Sequence, residues 1–387
     1  MEMLLPRRRV SDSLLWQGAM GTWAGYSALA LTLNGCVAPA ASPLETNESA
    51  NAVVVASSTR GCRKPLLPRR PVVVVGGYGY TKSNRDEHQV EPGVGLAKIV
   101  AELAADVPTD WPHGPIHFAE SVTPIAGNAQ RASELAAEIR PLCAQYGPVD
   151  ILANSMGGLT ARYAIEELGE NDASLRACIA SLTTMGTPHR GTPVSRFASD
   201  PAAAQGLSPR GTEETLNAPL RAKPSRKGAV HYRIWAALSR FGQRENPGAA
   251  AACDHKLYDP RRRALHDRWP DDPGAFDSLQ NWRDLVKSME VKGARFSALL
   301  NFGRWLEDPG SWVTFRDCAK DGWVCVESAR LRSAELQQIA VDFLGCVPAH
   351  HFELTTGYNG QGLPDEDNQF DYIDFWRDNV EQLANLP

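Results

Sequence analysis

The sequence predicts an α/β fold with a mostly parallel central sheet and helices on both faces, and three observations carry that prediction. Short apolar runs rich in β-branched residues alternate with segments of helical periodicity along much of the chain. Such alternation implies right-handed crossovers and therefore parallel strands. The run Val72-Val73-Val74-Val75 has no polar interruption, as a strand covered on both faces requires. Finally, the 387 residues are 43% hydrophobic with a formal net charge of -5, an ordinary globular composition large enough for one sizeable core with an inserted cap. Lys and Arg are scattered, with no basic patch interleaved with aromatics, so no nucleic-acid partner is expected.

The N-terminus reads as a processing segment. Arg7, Arg8 and Arg9 form a positive n-region, Leu14 to Leu33 is apolar, and Leu33-Asn34-Gly35-Cys36 precedes Ala38-Pro39-Ala40. Residues 1–40 are therefore expected to be a secretory signal, and the protein to be exported. Leu-x-Gly-Cys resembles a bacterial lipobox, which would make Cys36 the lipidated first residue of the mature chain and anchor it to a membrane. Val37 in place of Asp would then imply the outer membrane. The small residues at Ala38 and Ala40 equally suit ordinary cleavage and secretion. A transmembrane anchor is the competing reading of the apolar stretch, and its Gly, Ser and Thr content disfavours it. Residues 41–70 are polar and rich in Pro and Ser, as a flexible tether would be, and residues 71–387 are assigned to the folded domain. Eight cysteines fit an oxidising compartment, but their irregular spacing fixes no connectivity.

Taken in order, the strand at Pro71 to Val75 ends in Gly76-Gly77-Tyr78-Gly79-Tyr80, where glycines let backbone N–H groups approach a ligand. Leu96, Ile99, Val100 and Leu103 make a helix face, and Pro115 to Ala119 a short strand. Ala132, Leu135, Ala136, Ile139, Leu142 and Cys143 trace an amphipathic helix. Val149 to Ala153 reads as a buried strand. A helix follows at once, with Ala161, Ala164, Ile165 and Leu168 on one face and Gly169 as its expected cap. Ala177 to Thr184 is the next strand. From Val194 to about Arg330 regularity fails, apart from a strand at Val230 to Ile234, so about 194–315 is expected to form a cap or long excursions. A strand at Ile339 to Phe343 and a helix carrying Ile373, Trp376, Val380 and Leu383 close the chain, which has no internal repeat.

Candidate chemistry centres on Ser155, at the corner between the Val149 strand and its helix. A strand that turns directly into a helix strains and exposes its corner residue and needs small neighbours, which Ala153 and Gly157 supply. The helix start offers the Met156 N–H and a positive dipole end to a developing oxyanion. The glycine-rich turn at residues 76–79 is where a second donor is expected. A serine hydroxyl needs a base, usually His, oriented by a carboxylate, in the chain order Ser, acid, His. His88, His113 and His117 precede Ser155, His189 follows too soon, and His231, His255 and His266 precede the best acid. His350 and His351 remain. For the acid, Lys320-Asp321-Gly322 makes a tight turn able to aim the Asp321 carboxylate.

Together Val72-Val73-Val74-Val75-Gly76-Gly77-Tyr78-Gly79, Ala153-Asn154-Ser155-Met156-Gly157, Thr187-Pro188-His189-Arg190-Gly191, Asp321-Gly322-Trp323 and His350-His351-Phe352 resemble the bacterial true lipases of the α/β-hydrolase superfamily. The resemblance implies an α/β-hydrolase catalytic domain with the cap inserted at about 194–315. Ser155 would be nucleophile, Asp321 acid and His351 base, with His350 the alternative base. Tyr78 and Met156 would donate backbone N–H groups to the oxyanion. It also implies a lipase cleaving acylglycerol esters at a lipid–water interface, with no cofactor. Two positions depart from the family: Gly76 stands where His is usual, and Asn154 replaces the usual His before the nucleophile. His189 lies in a family motif, where fixing the loop is its expected role. Some relatives hold a structural metal, but Asp254, His255 and Asp259 do not make a ligand set, so none is assigned. A polyester depolymerase or a lipid acyltransferase would use the same groups under a different cap, and the intact triad disfavours a non-catalytic binding module. Cys318 and Cys325 flank Asp321 and Cys253 precedes it, so one disulfide is expected to pin the acid turn.

Overall fold

A computed structural model describes residues 64–79, 96–193, 195, 198, 200–222, 230–238, 249–259, 264–266, 321, 323–331, 341–349, 351, 353–356 and 372–386. Eight strands form one sheet: β1 Val72–Val75, β2 Ile116–Phe118, β3 Val149–Asn154, β4 Ile179–Met185, β5 His231–Ala237, β6 Leu257–Asp259, β7 Ala264–His266 and β8 Val341–Val347. Their spatial order is β2-β1-β3-β4-β5-β8-β6-β7, and every neighbouring pair is parallel except β6 with β7.

The uninterrupted valine run divides between two cores, because successive side chains of a strand point to opposite faces. Val73 and Val75, with Ile151, Ala153, Leu182 and Ile234, pack under α2 (Asn128–Tyr146) and α3 (Met156–Tyr163) through Leu135, Ile139 and Ala161. Val72 and Val74, with Leu152, Met185 and Trp235, meet α1 (Leu96–Ala105) and the C-terminal helix Tyr372–Leu383 through Ile99, Leu103, Phe375 and Trp376. Helices on both faces of a parallel sheet, with a strand–Ser–helix corner after β3, make this an α/β-hydrolase fold.

Several expectations shift. The region read as a cap contributes β5, a central and almost wholly buried strand that is longer than the expected Val230 to Ile234. It also contributes helical segments at Pro201–Leu207, Pro209–Thr212 and Ala218–Ala222 and the β6–β7 hairpin. Residues 267–320 of that excursion lie outside the described residues. Gly169 does not cap the helix after Ser155. The chain runs on through a π-helical turn at Ala164–Leu168 to Asn171, and Gly169 has helical angles. The stop comes at Asp172, whose side chain accepts from Leu175 N and starts the next short helix. The last strand runs to Val347, and its pairing with β5 shifts register beside Gly345, which takes φ 123 where the Lys256 backbone O lies 2.7 Å from the place of a Cβ. Residues 64–70, expected as the end of the tether, lie against the domain: Leu66 is fully buried and its N–H bonds Asp106 O at 2.8 Å.

Disulfides join Cys143 to Cys178 and Cys253 to Cys346, and Cys325 is also disulfide-bonded. Cys253 therefore ties the turn before β6 to β8 and not to the acid turn, while Cys318 lies outside the described residues. The N-terminal segment with Cys36 lies outside them too. Among the described residues no helix is long and apolar enough to cross a membrane.

Candidate active site

β3 ends at Asn154 and α3 begins at Met156, so Ser155 alone turns the chain, at φ 54 and ψ -129. A non-glycine residue there is strained by about 1–3 kcal/mol and persists only where its surroundings fix it. The fixing is close-range. A Cβ on Gly157 would stand 2.5 Å from Val75 O, one on Gly158 2.2 Å from Thr187 Oγ1, and one on Gly77 2.7 Å from Ser155 Cβ. The elbow thus needs glycine at 157 and 158 and, on the facing turn after β1, at 77, and the Ser155 N–H bonds Met185 O at 3.0 Å.

Three side chains distant in sequence then align. His351 Nε2 lies 2.8 Å from Ser155 Oγ, and His351 Nδ1 lies 2.7 Å from Asp321 Oδ2. Asp321 is fully buried and His351 is 6% exposed. Asp321 Oδ1 accepts from Trp323 N (2.9 Å) and Val324 N (2.7 Å), so the turn itself holds the carboxylate. The His351 N–H bonds Asp321 O at 2.9 Å, joining acid and base segments through the backbone. An ionised carboxylate only accepts, so Nδ1 carries the proton and Nε2 is left to accept from the serine hydroxyl. The Trp323 indole stacks on the imidazole at 6.4 Å between centroids. His350 and Phe352 lie outside the described residues.

The two expected amide donors lie on the turn after β1 and at the start of α3. Met156 opens α3, so its N–H is among those an α-helix leaves without an internal acceptor. Tyr78 sits on the turn after β1, where the Gly79 N–H bonds Pro124 O at 2.9 Å, and it packs on the cluster of Met156, Leu159, Ala203, Leu207 and Leu216. A part-buried serine in line with a buried imidazole and a buried carboxylate can become a nucleophile, and amides beside it can hold an oxyanion.

His189 is fully buried and stands in the loop after β4, its Nε2 3.0 Å from Thr184 Oγ1. Burial, with the Arg162 charge nearby, holds its pKa well below 6.5, so it is neutral. The His189 carbonyl accepts from Asn217 Nδ2 (3.0 Å) and Arg162 Nη1 (3.4 Å), and Arg162 is paired with Glu166 at 2.8 Å. Asp254 pairs with Arg330 at 2.5 Å, and among the described residues no group of three His, Cys, Asp or Glu is placed to hold a metal ion.

Sequence reasoning missed Arg131. It falls on the buried face of α2 beside Ala132 and Leu135, so a charge on an apolar stripe was the available signal. Its Nη2 reaches Gly76 O at 2.6 Å and its Nε reaches Thr160 Oγ1 at 2.9 Å, both beside the elbow.

No family model matches the chain, and no curated protein does. Among solved structures it is similar to a metagenomic carboxyl esterase (12% identity, TM-score 0.49, 85% of this chain and 80% of that one). It is similar also to lipase 1 from Pelosinus fermentans (13%, TM-score 0.43, 83% and 100%) and to a Bacillus licheniformis lipase in mature form (16%, TM-score 0.38, 77% and 89%).

Proposed function

We propose that this chain is a serine carboxylic ester hydrolase, a lipase that cleaves acylglycerol esters through an acyl-enzyme. The observation that carries the reading is the unbroken line Asp321–His351–Ser155 ending on a strained strand-to-helix corner. Ser155 Oγ attacks the acyl carbonyl while His351 Nε2 takes its proton, and buried Asp321 stabilises the imidazolium. The oxyanion receives the N–H groups of Tyr78 and Met156. His351 then protonates the departing alcohol, and water activated by the same imidazole releases the acid. The resemblance of the site motifs to true lipases supports an apolar acyl chain. Export, by lipidation at Cys36 or by ordinary cleavage near Ala40, rests on the sequence of residues 1–40 alone.

The decisive experiment compares wild type with Ser155→Ala on triglyceride emulsions, soluble p-nitrophenyl esters and polyester films. Loss of about 10⁴-fold or more in kcat with unchanged folding is expected, together with loss of fluorophosphonate labelling. Retained hydrolysis by Ser155→Ala would sink the reading.

A further inference from the structure

Arg131 is an anomaly by the rules of burial. It is 1% exposed, burial pushes its pKa down to about 10, and the nearby charge acting against that is the Glu134 carboxylate. Glu134, one turn along α2, acts on it through space but is occupied with the Thr123 N–H and hydroxyl. A buried cation is costly, so what it touches matters. Its contacts reach the turn after β1, the Thr123 segment beside that turn, and α3. Nη2 donates to Gly76 O at 2.6 Å and, more weakly, to Gly77 O at 3.5 Å. Nη1 donates to Thr123 O at 2.8 Å, next to Pro124, whose carbonyl accepts the Gly79 N–H. Nε donates to Thr160 Oγ1, and that hydroxyl donates in turn to Met156 O at 3.2 Å.

Peptide geometry converts these contacts into a directional effect. The Gly77 carbonyl and the Tyr78 N–H belong to one planar trans peptide and point in opposite directions. A guanidinium that draws the Gly77 oxygen to itself turns the Tyr78 N–H the other way, and it polarises that amide as a donor. Through Thr160 the same guanidinium is fastened to the first turn of α3. Gly157 permits the approach, since a Cβ there would stand 2.8 Å from Gly76 O.

We propose that Arg131 is a positioning residue of the oxyanion hole: it aims the Tyr78 N–H by gripping the Gly76 and Gly77 carbonyls, and through Thr160 it locks that amide to the turn carrying the Met156 N–H. The proposal rests on the serine hydrolase reading above. It differs from a purely structural role in what it predicts for the reacting atom. A thionoester develops its charge on sulfur, a larger and poorer hydrogen-bond acceptor, so it gains less from correctly aimed donors.

The test measures kcat and KM for p-nitrophenyl butyrate and for its thionoester, with wild type, Arg131→Met, Arg131→Lys and Thr160→Val, each normalised by fluorophosphonate titration. Arg131→Met should lower kcat on the oxygen ester by about 10²-fold, the cost of one misplaced oxyanion donor, with KM within about twofold. Its thionoester kcat should fall by less than about 10-fold, so the oxygen-to-sulfur rate ratio collapses. Arg131→Lys should recover part of the loss, because an ammonium can reach one carbonyl but cannot also bridge to Thr160. Equal losses on both esters, or a change in KM alone, would overturn the proposal. If Arg131→Met does not fold, Thr160→Val decides: a reduced ratio supports the proposal and an unchanged one overturns it. Wild type that hydrolyses neither ester, or Ser155→Ala that hydrolyses both, would strike the hydrolase reading itself.

Discussion

Gly77→Ala is a sharp probe of how closely the turn after β1 is fitted to the nucleophile. The added Cβ would stand 2.7 Å from Ser155 Cβ, 3.2 Å from Ser155 Oγ and 3.4 Å from Asn154 O. The first contact is about 0.7 Å short of ordinary van der Waals approach, and the atom it meets is not the far end of a flexible chain. Ser155 Cβ hangs on a backbone already held at φ 54, with its Oγ 2.8 Å from His351 Nε2. If Ser155 yields, the hydroxyl leaves its base. If the turn yields, the Tyr78 amide leaves the oxyanion position. Either displacement approaches the 1 Å that costs about 10²-fold in rate, while overpacking costs about 1–3 kcal/mol of stability. Steady-state kcat on a soluble ester, the fluorophosphonate labelling rate and the urea midpoint separate the two effects. Gly147→Ala is the control: φ is +90 with no atom within 4 Å of the new Cβ, so it should cost about 1 kcal/mol of stability and leave kcat unchanged. Wild-type kcat in Gly77→Ala would refute the fit between turn and nucleophile.

Asp321→Asn should leave the acid turn intact, because Oδ1 can still accept from Trp323 and Val324, yet lower kcat about 10⁴-fold by presenting an NH₂ to Nδ1 and favouring the wrong imidazole tautomer. Near wild-type kcat would exclude the assigned roles of both residues. His189, with a folded pKa depressed below 6.5 by burial, binds its proton more readily in the unfolded chain. Stability linked to it is therefore complete above pH 6.5 and is lost as pH falls, by about 1.4 kcal/mol per unit until the folded pKa is reached. His189→Gln should remove that slope in urea unfolding measured from about pH 7 to 5, and parallel slopes for the two proteins would contradict it. Replacing Cys253 and Cys346 together by Ala opens a bridge across 93 positions, for an expected loss of about 4 kcal/mol; an unchanged urea midpoint would show that the unfolded chain is not constrained there.

The parts of this site legible in the sequence are those with local physical signatures. The Val72 run announces a strand buried on both faces, and a strand–Ser–helix junction with glycine at the right offset announces the elbow. Asp321 could be read because an Asp-Gly turn aims its own carboxylate, and Oδ1 does bind the two amides that follow. Long-range placement left weaker traces. β5 looked like a strand lost in an irregular region, since nothing local says that His231 to Ala237 slots between β4 and β8. Gly169 looked like a helix stop, but the π-helical turn shifted the phase and Asp172 made the better boundary. The end of the tether looked solvated because the partners of Leu66 lie on distant helices. Arg131 left only the trace of a charge on an apolar stripe, because most of its acceptors are backbone carbonyls, which carry no residue identity.

Two buried arginines brace the surroundings of α3, Arg162 through the loop after β4 and Arg131 through the turn after β1. Arg162, on α3, ties Glu166 and Asn217 to the His189 carbonyl and so holds the loop after β4. That loop places Gly186, whose added Cβ would lie 3.2 Å from Asp321 Oδ2 and 3.4 Å from His351 Nδ1, so the acid–base pair packs directly on it. Arg131, on α2, holds the turn after β1 on the other flank. The two differ in kind. Arg162 has a carboxylate at 2.8 Å, so truncating it would strand a buried charge and should cost stability first. Arg131 grips neutral carbonyls, and truncating it removes a poorly compensated cation while freeing the peptide that carries Tyr78. Methionine at 131 should therefore cost more in rate than in stability, whereas methionine at 162 should do the reverse. The ordering of the two losses, read from kcat and urea midpoints on both variants, separates a brace for the fold from a guide for the oxyanion. Equal ordering in both would mean that α3 is held as one undivided unit.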